Sequence, residues 1–454
     1  MRSFPISSRL TSGLLLSLSL LGCDTSTLPD GYVAFVNAPG EDPWAADPAV
    51  DHVQIDFVAG STRTLLADES AQPDTVSIGS QAMSANDAHF EATGFDSAGD
   101  AVVFGATVPF DVQSFAGVYI PVFAGRKGGF TTAPDTLVSP HIHPLSAVSA
   151  QRYLLLAGGA DAAFDAYNAA AWGSATNSSD PLALPQTVKS MAISGTVLLM
   201  INDEKANYID LAGSGTTAAT APTGLKFADI VGGQTLVASD STIYIVGATR
   251  TEGAATNKVL EIDPTGTLLM LQLKTPRLGA AATLVEDSLL VVGGSAKGAG
   301  AELLRLRDTT FSALDLPADE TSGASVVELT SASALLAGGH DASGAPSATR
   351  TIDLSCSSEC STAELPKLKL SIGRASAFRL AENVALIVGE SDDTETHAYL
   401  FDASGDEPTL VEKILRTPRS QAAAVTMPNG QIAVVGGTEL STGNPALTLD
   451  VFFP

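Results

Sequence analysis

The chain has 454 residues, 45% of them hydrophobic and 16% charged, and sets 24 Lys and Arg against 50 Asp and Glu for a formal net charge of −26. Acidity of this order excludes a nucleic-acid partner, because phosphate binding requires a basic footprint that displaces counterions; it serves solubility, or growth in salty surroundings. So long and apolar a chain can bury more than one core.

Residues 1–22 open with Arg2 and Arg9, continue into a leucine-rich stretch and end at Gly22. The apolar run is too short to cross a bilayer as a helix and reads as a secretory signal. The LLGC sequence closing on Cys23 resembles the bacterial lipobox. That resemblance implies cleavage before Cys23, lipidation of its thiol, and a protein held in the bacterial cell envelope, on the periplasmic face or at the cell surface. Several acyl chains suffice for a stable anchor where one is marginal. Asp24 directly after the cysteine leaves the membrane leaflet open, and residues 23–30 form a short polar tether.

Residues 31–124 contain the segments YVAFVNA, DHVQIDFV, TRTLLA, DTVSIG, HFEATGFDSAGD, AVVFGATVPFDV and GVYIPVFAG. They alternate or run apolar over strand length between Gly, Asp, Ser and Pro clusters. This predicts a small immunoglobulin-like β-sandwich.

Residues 125–454 carry a repeat. Seven apolar runs, LLLAGG from Leu154, VLLMIN from Val197, IYIVGA from Ile243, LLVVGG from Leu289, ALLAGG from Ala334, ALIVGE from Ala385 and IAVVGG from Ile432, follow one another about 44 to 51 residues apart, a propeller-blade period. A polar residue ends the next segment of each unit: Asn168, Asp210, Asp263, Asp308, Asp353, Asp402 and Asp450. Asp before Pro, Ser or Gly is turn chemistry, its carboxylate reaching amides two residues on. Upstream of three runs stand Arg277, Arg374 and Arg419, 16, 15 and 17 residues before Gly293, Gly389 and Gly436. Each unit therefore reads as four short antiparallel strands, a to d, forming one blade. The glycines closing strand b allow positive φ and close backbone approach between blades, and with no helix following them they are not phosphate cradles.

Pro-Arg, small residues, VVGG and an Ile or Tyr before Asp resemble the Kelch motif, over about residues 128–454. The resemblance implies a seven-bladed β-propeller. The Tyr and Trp usual in Kelch repeats are approached only by Tyr167 with Trp172, while Ile262, Ile352 and Phe401 stand elsewhere, so no activity is carried over. Galactose-oxidase-like propellers use a copper site with a cysteine crosslinked to tyrosine, for which this sequence has no suitable cysteine. A sugar mutarotase on a similar propeller is compatible with the pattern. No G-x-S-x-G elbow in a strand-to-helix setting and no HExxH occurs.

Beyond Cys23 the cysteines are Cys356 and Cys360, in DLSCSSECS. In an oxidising compartment they are expected to form a disulfide across a turn of the fifth unit, contributing about 2 kcal/mol. His141 and His143 are two residues apart, a spacing that on a strand puts both on one face and allows a metal pair. His141 also occupies the place of the repeat arginines. His340 follows the ALLAGG glycines and is expected in an exposed loop. The acidic stretches ESDDTE, NDEKAN and DASGDE do not match a spaced calcium loop. The sequence thus assigns no catalytic residue, metal or cofactor.

These readings make the protein a lipid-anchored, monomeric binding module whose propeller loop face contacts a protein or glycan of the envelope. The alternative is an envelope carbohydrate-active enzyme of the mutarotase or epimerase kind, with a central-channel site. Arg277, Arg374, Arg419, His141, His143 and His340 are the candidate ligand contacts, the arginines having a competing structural role with blade carbonyls and acids. Finally, the sequence ends in strand c of the seventh unit, so its fourth strand is expected from Phe130–Ala133 pairing with Leu449–Phe453. Deletion of Gly128–Leu137 should then break the ring, and trimming up to about Gly125 should spare it.

Overall fold

A computed structural model describes residues 30–454 apart from residues 71–73, 80–84, 113–116, 150–151, 159–162, 177–186, 212–214, 248–254, 295–299, 307, 315, 317–320, 342, 356–360, 366–371 and 392. The signal, Cys23 and the pair Cys356 and Cys360 lie outside the described residues. Within them no helix is long and apolar enough to cross a membrane, and the helical content is a single 3-10 turn, Phe227–Asp229.

The N-terminal strands fall where alternation placed them: β1 (Gly31–Val36), β2 (His52–Ala59), β3 (Thr62–Ser70), β4 (Thr75–Gly79), β5 (Ala85–Phe95), β6 (Ala101–Ala106), β7 (Phe110–Val112) and β8 (Tyr119–Arg126). In place of the two packed sheets of the expected sandwich they form one eight-stranded sheet in the order β3-β2-β5-β6-β8-β1-β4, with β7 on β5. Strand β1 runs parallel to β8 and antiparallel to β4. The sheet curls until it is nearly closed like a barrel, enclosing Val33, Val53, Ile55, Phe57, Phe90, Val103 and Val122. Burial along β5 alternates over Ala88–Phe95 as the pleat requires.

The remainder is a seven-bladed propeller. Each apolar run is strand b of a blade; in the first, Leu145–Ser149, Tyr153–Ala157, Phe164–Asn168 and Gly173–Ser174 pair in order. Strand b is continuously apolar because it is central in its blade and covered by a neighbouring blade on either face: Ile243–Val246, Leu290–Val292, Ala385–Val388 and Ile432–Val435 are buried throughout. Tyr244 of blade 3, for example, shares a core with Leu289 and Val291 of blade 4.

The strand-b glycines work between blades. Gly436 has φ +65°, and a Cβ there would lie 2.6 Å from the His141 carbonyl of blade 1. A Cβ on Gly247, φ +70°, would lie 2.4 Å from the Ala280 carbonyl of blade 4. The space left by the missing side chains lets Gly437 N–H donate to His141 O at 2.7 Å, joining the last blade to the first. Inner-strand side chains add to these ties, as where Ala377 N–H donates to Ser325 Oγ at 3.0 Å.

Blade 7 is Ala423–Thr426, Ile432–Val435, Asp450–Phe453 and β9 (Gly129–Thr132). The partners are Asp450 with Thr132, Val451 with Thr131, Phe452 with Phe130 and Phe453 with Gly129, and Ala133 N–H donates to Leu449 O at 2.8 Å. The first propeller strand therefore closes the ring as expected. The expectation that the N-terminal unit is dispensable is corrected. The Phe123 ring of β8 packs tilted on Trp172, with centroids 4.5 Å apart, and edge-on against Phe453 at 5.3 Å, and it shares one core with Ala38, Val108, Tyr167 and Val451. Asn429 Nδ2 donates to Ala106 O at 3.1 Å, and Arg416 pairs with Glu41 at 3.2 Å. The Tyr167–Trp172 pair thus forms the seat of the N-terminal sheet.

Candidate functional site

The turn aspartates behave as their chemistry dictates. Asp263 Oδ1 accepts from Thr265 and Thr267 amides at 2.8 and 2.9 Å, Asp353 from Ser355 at 2.9 Å, and Asp402 from Ser404 at 2.8 Å. In each case hydrogen bonds, led by the neighbouring hydroxyl, hold the carboxyl below the usual range. Asp450 departs from this set: it begins strand c rather than ending it, and it is fully buried.

Asp450 belongs instead to a second structural device. Arg419 is 0% exposed; its Nη1 donates to Thr448 O at 2.8 Å and Gly436 O at 3.3 Å, and its Nη2 lies 3.2 Å from Asp450 Oδ1. Arg277, 1% exposed, donates to Gly293 O at 2.8 Å and pairs with Glu302 at 3.0 Å. His141, 0% exposed, bonds Gly158 O at 2.8 Å and Asp165 Oδ2 at 3.1 Å. The near-constant spacing between basic residue and glycine is therefore the hydrogen bond itself. Each base joins the end of strand b to an acid early in strand c, and desolvation lowers the pKa of both arginines. As ligand contacts Arg277, Arg419 and His141 are corrected: they are sealed inside their blades.

The histidine pair is corrected too. Neither residue lies in a strand, which begins at Leu145, and the two rings part: His141 meets Asp165 inside blade 1, whereas His143, at φ +46°, meets Glu390 of blade 6. His340 is half-buried, its backbone bridged to Ser322 and Pro346 and its ring packed against Gly373, rather than standing free in a loop.

Arg374 alone among the repeat arginines is exposed. The acid positions face Leu156, Val291 and Val434 of strand b in blades 1, 4 and 7. Their counterpart in blade 6, opposite Ile387, is Tyr399. With no carboxylate to receive it, a buried guanidinium there would be unpaired. A register shift between Ile372 and Arg374 accompanies the change, setting Arg374 opposite Glu390.

Arg374 accordingly faces a cavity of about 400 Å³ on the propeller axis, to which blades 1 and 3 to 7 contribute. Its wall is mostly Gly and Ala, including Gly232, Gly279, Gly323 and Ala422–Ala424, and its charged groups are Arg374, Glu390 and His143. Arg374 Nη1 is 3.0 and 2.9 Å from Nδ1 and Nε2 of His143, so the guanidinium rests against the imidazole, sharing one contact between two ring nitrogens. His143 Nε2 lies 3.1 Å from Glu390 Oε2. Sequence reading named Arg374 and His143 separately and missed Glu390. The three are assembled by ring closure, His143 being 231 and 247 residues from its partners.

No family model matches the chain, and no curated protein matches it. Among solved structures, a fungal alcohol oxidase of the AA5 family in complex with copper is similar at 16% identity and a TM-score of 0.50, over 72% of this chain and 76% of its own. The structure of YjhT is similar at 14% identity and a TM-score of 0.40, over 59% of this chain and 95% of its own. The fold and the axial cavity define a seven-bladed β-propeller. The oxidase likeness concerns that fold alone.

Proposed function

We propose that the protein is a lipid-anchored binding module of the bacterial cell envelope, of Kelch-like descent, that takes a protein or glycan group into the axial cavity against Arg374. The observation that carries the reading is the exception among the repeat arginines. Where Arg277 and Arg419 are spent on carbonyls and a buried acid, Arg374 presents its donors to an open space lined by small residues. A guanidinium in such a place suits a carboxylate or a cluster of hydroxyls. His143 and Glu390 fix its orientation from one side. Cys23 would hold the module at the membrane through its acyl chains.

The test is capture from native envelope by full-length protein in detergent, together with a glycan screen. Arg374→Ala should lose the captured ligand while Arg277→Lys, altered in a sealed position, keeps it. Equal retention by Arg374→Ala would overturn the reading. A carbohydrate-active enzyme in the same channel is the second reading, favoured by the hydrogen bond between His143 and Glu390, an acid–base couple beside a cation. Anomeric exchange of candidate sugars, followed by NMR and abolished by Glu390→Gln, would select it.

A further inference from the structure

The loop leaving strand b of blade 6 brings Asp393 and Glu395 to His397 at the start of strand c, one ligand atom from each lying within 4.8 Å of the others. We propose that these residues bind a divalent transition-metal ion of the zinc class at the rim of the axial cavity, to which the neighbouring Thr396 contributes wall.

The case rests on the histidine. Its side chain is 12% exposed, and Nδ1 lies 3.1 Å from Glu412 Oε1 on strand d. A carboxylate can only accept, so Nδ1 carries a hydrogen, and in the neutral ring Nε2 then presents its lone pair. That Nε2 atom is shielded from solvent and has no hydrogen-bond partner. It faces Asp393 Oδ2 at 3.6 Å, too far for a hydrogen bond. Two acceptors are thus held apart across a gap. Ligand atoms about 2.0–2.2 Å from a tetrahedral zinc stand roughly 3.3–3.6 Å from one another, the span that separates Nε2 from Asp393 Oδ2.

The carboxylate is also set in advance. Asp393 Oδ1 accepts from the Ser391 hydroxyl and from Glu395 N–H, at 3.0 Å in the latter case, which leaves Oδ2 directed at His397. Glu412 on the far ring nitrogen supplies the outer-shell carboxylate that metal-bound histidines usually have. One nitrogen and two carboxylates suit zinc-class ions better than calcium or magnesium, which take oxygen ligands in larger number. With three protein ligands, the fourth position is open to water or to a ligand in the cavity.

Full-length protein in detergent, stripped with EDTA and titrated with ZnCl2 by calorimetry, should take up one ion per chain, with CaCl2 and MgCl2 failing to compete. His397→Ala and Asp393→Asn should abolish saturable uptake, and Glu412→Gln should weaken it by roughly 10- to 100-fold, the usual effect of removing an outer-shell partner. Zinc should also raise the melting temperature of the wild type and not of His397→Ala, whose unfolding in EDTA should match the wild type in EDTA. The absence of saturable zinc uptake by the wild type, or uptake unchanged in His397→Ala, would overturn the proposal and leave an imidazole clasped between two carboxylates as the whole content of the cluster. The axial-cavity reading does not depend on this outcome, since its variants alter Arg374 and Glu390.

Discussion

Replacing Arg419 by Ala tests whether the repeat arginines are structural. Arg419 is fully buried and donates to Thr417 O at 3.0 Å, Thr448 O at 2.8 Å and Thr448 Oγ1 at 3.1 Å in addition to meeting Asp450. Its removal leaves the Asp450 carboxylate, 0% exposed, with the Thr417 amide at 2.8 Å as a remaining donor. Loss of one partner of a buried pair costs about 3–5 kcal/mol, and orphaned carbonyls hold the figure toward the upper end. Burial already pushes the Asp450 carboxyl above its ordinary value despite Arg419, and the variant should push it further. A raised folded pKa favours the protonated form, so the deficit should be greatest at pH 7 and should shrink as pH falls through the folded pKa. Urea unfolding at pH 7 and at pH 4 reads both effects, with Arg374→Ala as a comparison expected to change stability by no more than about 0.5 kcal/mol. A loss below about 1 kcal/mol at pH 7, or a deficit independent of pH, would refute the reasoning.

Three further outcomes follow from the same geometry. Phe123→Ala, which removes the ring between Trp172 and Phe453, should cost about 3–5 kcal/mol in urea unfolding and loosen the propeller along with the N-terminal sheet. Deletion of Gly128–Leu137 should abolish cooperative unfolding altogether, since Val451 and Phe452 lose their edge partners; a sharp wild-type-like transition would show that another segment closes the blade. Burial pushes the Asp165 carboxyl up, but hydrogen bonds from His141 and the Ser139 amide bring it below its ordinary value. Its contribution is therefore present above the unfolded pKa of about 3.9 and lost as pH falls through the folded one, so Asp165→Asn should flatten the fall in stability between about pH 5 and pH 3.

The repeat was legible because each strand b needs an unbroken apolar run, and because turn chemistry at Asp263, Asp353 and Asp402 is local. Ring closure was legible for a related reason: a seventh strand c without its neighbour is an unpaired edge, and Phe130–Thr132 was the nearest β-compatible segment. The acids Asp165 and Glu302 escaped notice and Asp450 was read as a turn residue, although each falls at the strand-c register opposite the second residue before a strand-b glycine. Searching for a carboxylate at that offset would have separated the buried bases from the exposed one. The packing of Phe123 on Trp172 could not be read at all, because it joins two units through side chains far apart in sequence.

Blade 6 departs from the pattern that blades 1, 4 and 7 share. Tyr399 replaces the acid, Glu390 replaces the second glycine of strand b, and strands a and b lengthen to Ile372–Ala381 and Val384–Ser391 with two register shifts between them. Each change is a local loss for blade packing: a guanidinium without a buried partner, a side chain where backbone could have approached, an irregular ladder. Such losses persist in a repeat when something other than packing sustains them. Of these, Arg374 and Glu390 line the axial cavity, and the loop that the lengthened strand b feeds carries Asp393 and Glu395 to His397 at the start of strand c. Where blades 1, 4 and 7 seal a basic side chain against a buried acid, blade 6 leaves its arginine at the rim of the cavity.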